Sequence, residues 1–112
     1  MSENPIHYEL SDGIATITID RPDAMNAINT AVREGLWAAF RRFVDEDEAL
    51  VAILTATGEK VFCAGADLKE MSDMALKVPP PDFLPYLNKN LHTNKPVIAA
   101  VNGLAYAGGF YL

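Results

Sequence analysis

Two short apolar runs most constrain how this chain can fold: "LVAILTA" at residues 50–56 and "PVIAAV" at residues 96–101. Both are rich in β-branched residues and too short for a helix of ordinary length. Residues 50–55 and 96–101 therefore read as buried strands. Each run leads into small residues. The first reaches Cys63, Ala64, Gly65 and Ala66 before Asp67; the second passes Asn102 and Gly103 to reach Ala107, Gly108 and Gly109. In open α/β sheets, ligands bind beyond the carboxyl ends of strands, where such junctions lie.

The rest of the chain fits an α/β arrangement. Residues 6–20 read as a hairpin, with Ser11, Asp12 and Gly13 supplying the turn. Arg21-Pro22 stops the second strand, because proline cannot donate to a ladder. A loop follows, and Thr30 reads as the N-cap of a helix whose apolar face is Val32, Leu36, Ala39, Phe40 and Phe43. Residues 67–75 read as a second helix and "VPPP" at 78–81 as a loop. Phe83, Leu84, Leu87 and Leu91 suggest a short third helix, and Gly108-Gly109 opens a fourth. The expected order is β-β-α-β-α-α-β-α.

Composition narrows the function. The 112 residues suit one domain with a core of its own. The net charge of −6 argues against a nucleic-acid partner, which calls for a basic stripe. No apolar run is long enough for a membrane-spanning helix. The opening "MSENPIHYELSDG" lacks a basic segment followed by an apolar one, so no secretory signal is read there. Cys63 is the single cysteine, consistent with a reducing, cytoplasmic setting. His7 and His92 have no ligand spacing with each other or with Cys63, so no metal is expected.

The small residues admit two readings. They can be tight turns in which glycine supplies positive φ. Alternatively, amide groups at two helix starts can face outwards without intrahelical partners. Two such amides converging on one point form an oxyanion hole for a thioester or ester carbonyl. A dinucleotide fingerprint fits worse, because "GLAYAGG" lacks the required glycine spacing. Asp67 and Glu70 are the nearest carboxylates, either as a base or as acids complementing a helix dipole. Cys63 has no neighbouring histidine to make it a nucleophile.

Three segments, "DRPDAMNAIN", "VFCAGADLKEM" and "KPVIAAVNGLAYAGG", resemble the enoyl-CoA hydratase/isomerase (crotonase) family, in the family's order and spacing. The resemblance runs from the hairpin to the last residue. It implies a crotonase-like α/β fold, a spiral of ββα units, of which residues 1–112 form an N-terminal, acyl-CoA-binding part. It implies that the amides of Ala66 and Gly108 hold the thioester oxygen. Ala24, Met25 and Ala27 would line the CoA path, with Ala64, Asp67 and Leu68 beside the adenine and pantetheine portions. Lys69, Lys77 and Arg21 are the nearest cations for CoA phosphates, or ordinary solvated charges. Coenzyme A enters as part of the substrate, with no separate cofactor, and a homo-oligomer, trimer or hexamer, is implied.

One departure stands out. Family hydratases use two glutamates as acid and base, and Tyr111 occupies the position of the first. The second falls some 20 residues further on, so the chain reads as a truncated family member. With a reference pKa near 10, tyrosine is a poor base at neutral pH. A non-catalytic CoA-binding or assembly module is the alternative reading.

Overall fold

The computed structural model describes residues 4–65, 67, 84–86 and 89–105. The chain opens with a hairpin of β1 (Ile6–Ser11) and β2 (Ile14–Ile19), paired antiparallel from Ile6 opposite Ile19 to Ser11 opposite Ile14. Asp12 and Gly13 form the two-residue loop with φ of 53° and 81°. That pair of positive values is the turn whose twist matches the flanking strands, and Asp-Gly is suited to it.

A 3₁₀ turn over Pro22–Ala24 precedes helix α1 (Thr30–Asp45). The N-cap is Asn29, not Thr30: its side-chain oxygen accepts from the Val32 amide at 2.9 Å, while Thr30 is the first helical residue. Asn29 holds the extended conformation a cap needs, and its oxygen satisfies one of the helix's unpartnered donors. At the other end, the Lys95 ammonium donates to the carbonyls of Phe43 at 2.8 Å and Glu46 at 2.9 Å. A cation there complements the helix dipole. All five residues of the expected apolar face are buried.

Helix α1 connects β2 to β3 (Val51–Ala56), which pairs parallel to β2; β5 (Val97–Ala99) pairs parallel to β3. The sheet order is β1-β2-β3-β5. Ile17 and Ile19 of β2 and Leu54 of β3 meet Val32, Leu36, Phe40 and Phe43 in one core. Neither apolar run is a fully buried strand. β3 begins at Val51, leaves Leu50 66% exposed, and alternates buried with half-buried residues. β5 turns Val97 toward the core but leaves Ile98 54% exposed. It pairs with β3 alone among the described residues, so only one edge and one face are covered.

A second sheet was not anticipated. β4 (Val61–Cys63) and β6 (Leu104–Ala105) pair parallel, joining Val61 to Leu104 and Cys63 to Ala105. Neither strand is signalled locally, because three and two residues carry no measurable alternation. The expected helix at 67–75 beyond Asp67, which is not helical, the helix after Gly108 and the 78–81 loop lie outside the described residues. Of the expected third helix, 84–86 is not helical; a turn follows in which the Tyr86 carbonyl accepts from Lys89 at 3.1 Å and from Asn90 and Leu91 at 3.3 Å. Leu84 and Leu91 still reach the core.

Candidate functional site

The pairing of β4 with β6 sets side by side the two strands that lead into the small-residue junctions. Because the strands run parallel, the chain leaves both at the same end. Gly103 permits this closeness. A Cβ on it would lie 2.6 Å from the Lys60 carbonyl carbon and oxygen, so any larger residue would push β6 away from β4. The Leu104 amide donates to that same carbonyl at 3.0 Å, and the Asn102 side chain donates to the Ala56 and Gly58 carbonyls.

The loop at 21–28 forms the wall of the first junction. Met25 and Asn26 both take left-handed φ, 54° and 55°. Asparagine tolerates that conformation well, and here it is also buried, with 1% exposure. Its side-chain oxygen accepts from the Arg21 amide at 2.8 Å, and its NH2 donates to the Thr57 and Val61 carbonyls, each at 3.1 Å. One side chain thus ties the loop to the end of β3 and the start of β4.

Three backbone bonds stitch the junction to this wall. The Ala64 amide donates to the Met25 carbonyl at 3.1 Å, the Ile28 amide to Gly65 at 2.7 Å, and the Asp67 amide to Ile28 at 2.9 Å. Gly65 has φ of 92°, a conformation that favours glycine. The Arg21 guanidinium completes the closure through Nη1, which donates to Asp67 Oδ2 at 2.7 Å and to the Ala27 carbonyl at 3.1 Å.

Of the residues expected at the site, Ala24, Met25, Ala27, Ala64 and Asp67 therefore gather at one wall. Ala66, Leu68, Gly108 and Tyr111 lie outside the described residues, as do Lys69, Glu70 and Lys77. Arg21 is not a spare cation for phosphates, and Asp67 is not a spare base, because each holds the other. Cys63 is buried in β4, and burial pushes its thiol above the ordinary value, away from nucleophilic chemistry. Met25, 59% exposed, borders a groove of about 430 Å³ between Pro22 and the β3–β4 connection. Exposed Lys60 stands at that groove. Sequence reasoning passed over Lys60 and Asn26. An asparagine between small residues in a turn-rich loop was the available signal for the second.

Among the described residues no helix is long and apolar enough to cross a membrane, and no three His, Cys, Asp or Glu side chains cluster to hold a metal. Comparison with known proteins decides the family: the model of the enoyl-CoA hydratase/isomerase family matches residues 9–112. The chain belongs to this family. A probable enoyl-CoA hydratase of Rhodobacter capsulatus is 41% identical over 97% of this chain and 42% of its own length. A carnitinyl-CoA dehydratase of Salmonella paratyphi B is 44% identical over the whole of this chain and 43% of its own. Among solved structures, an enoyl-CoA hydratase from Mycobacterium tuberculosis superposes with a TM-score of 0.79 at 38% identity, covering 97% of this chain and 42% of that one. A carnitinyl-CoA dehydratase from Mycobacterium avium gives a TM-score of 0.77 at 32% identity, covering 98% of this chain and 44% of that one. The crotonase-like α/β fold is thus established, and the chain spans less than half the length of these relatives.

Proposed function

We propose that this chain forms the acyl-CoA-binding portion of an enoyl-CoA hydratase/isomerase, holding a thioester oxygen between the amides of Ala66 and Gly108. The observation that carries the reading is the parallel pairing of β4 with β6, which starts both junctions from adjacent strand ends. Small residues along this wall would let a thioester approach bare backbone, where each donor is worth about 10²–10³ in rate.

The relatives' names, enoyl-CoA hydratase and carnitinyl-CoA dehydratase, support chemistry at an acyl-CoA thioester. Hydration and isomerisation of an enoyl-CoA both develop negative charge on the thioester oxygen, so the two amides serve either reaction. Tyr111 in place of the family's first glutamate favours a second reading, a CoA-binding or assembly module without turnover. Calorimetry and a crotonyl-CoA turnover assay on one sample separate the two. Replacing Ala66 with proline removes one donor. A folded Ala66→Pro chain that binds and turns over crotonyl-CoA as wild type does would refute the role.

A further inference from the structure

We propose that Arg21 is a positioning residue, whose guanidinium ties Asp67 to the 25–28 loop and so supports the junction proposed to meet the thioester oxygen. This rests on the oxyanion reading and gives it a mechanical support. A single nitrogen, Nη1, spans the two segments, with Ala27 on one side and Asp67 on the other. The pair is sheltered, with side-chain exposures of 27% for Arg21 and 15% for Asp67, so solvent screens it less than a surface pair.

The base of the clamp is equally fixed. The Arg21 amide is held by buried Asn26, which is bonded in turn to the Thr57 and Val61 carbonyls. Arg21 and Asn26 together therefore reach from the entry of β4 to its exit. The bonds of Gly65 and Asp67 to Ile28 fix the two residues that flank the donor, and the ion pair keeps the second of these in place. Phosphate binding by Arg21 fits less well, because Asp67 already balances its charge. A lysine offers a compact ammonium in place of the planar fork, so it would reproduce the charge better than the bridge.

The test compares binding of butyryl-CoA and S-butyl-CoA, a thioether lacking the carbonyl, to the 112-residue chain by titration calorimetry. Wild type is expected to prefer the thioester about five- to tenfold, the worth of a hydrogen-bonded oxygen. Arg21→Gln and Asp67→Asn should each lower that ratio to about twofold or less, with butyryl-CoA losing more affinity than S-butyl-CoA. Arg21→Lys should recover part of the ratio. Asp67→Asn is nearly isosteric, so it serves if Arg21→Gln does not fold. An unchanged ratio in folded variants overturns the clamp, as does a parallel loss of both affinities, which would mark a phosphate contact or a purely structural role. A wild-type chain with no thioester preference removes the oxyanion reading itself, and the clamp with it.

Discussion

Replacing Asn26 with alanine should unpin the loop before α1 at a large cost in stability. The side chain makes three hydrogen bonds, at 2.8, 3.1 and 3.1 Å, from a position only 1% exposed. At roughly 1 kcal/mol for each bond, their loss costs about 3 kcal/mol. Alanine at a φ of 55° adds about 1 kcal/mol of backbone strain. The total, about 4 kcal/mol, is a large share of the roughly 5–15 kcal/mol that holds a domain together. Asn26→Gly loses the same bonds but not the backbone preference, so it should be about 1 kcal/mol more stable than Asn26→Ala. Urea unfolding followed by circular dichroism measures both, and unchanged slopes would assign the loss to the native state. An alanine variant within about 1 kcal/mol of wild type would refute the pinning role. Equal alanine and glycine variants would refute the backbone contribution.

Gly103→Ala should cost about 1–3 kcal/mol, because its Cβ meets the Lys60 backbone rather than a flexible side-chain end. Faster hydrogen exchange at the Leu104 amide should accompany the loss as β6 parts from β4. Asn29→Ala should cost about 1 kcal/mol through the lost helix cap, while Asn29→Asp keeps the acceptor and most of the stability. Burial raises the Cys63 thiol, so the folded chain holds that proton to higher pH than the unfolded chain does. Its contribution is complete below the unfolded thiol's value, near 9.0, and is lost as pH rises through the folded value. Wild type should therefore lose more stability between neutral and alkaline pH than Cys63→Ala, as read from urea midpoints at each pH.

The hairpin and the helix face were legible because their signals are local. Asp12-Gly13 specifies its own turn, and five apolar residues at helical spacing specify their own face. The helix start was misassigned by one residue, since Asn29 and Thr30 are both good caps and only backbone conformation separates them. β4 and β6 were invisible for a different reason. Their pairing joins residues some 40 apart and depends on the Gly103 contact with Lys60, a close approach that no local pattern encodes. The exposure of Ile98 was equally hidden, since an apolar run says nothing about which of its faces a neighbour covers. At the candidate site, the small residues marked the junction after β4, where Ala64 and Gly65 bond to the 25–28 loop. Asp67 and Arg21 each looked like free charges, because their partnership spans 46 positions.

Infrared difference spectroscopy of a carbon-13 thioester carbonyl in bound crotonyl-CoA tests the central claim most directly. Two converging amide donors should draw the carbonyl stretch to lower frequency than in water, and Ala66→Pro should return part of that shift. A bound thioester whose carbonyl absorbs as it does free in solution would contradict the account.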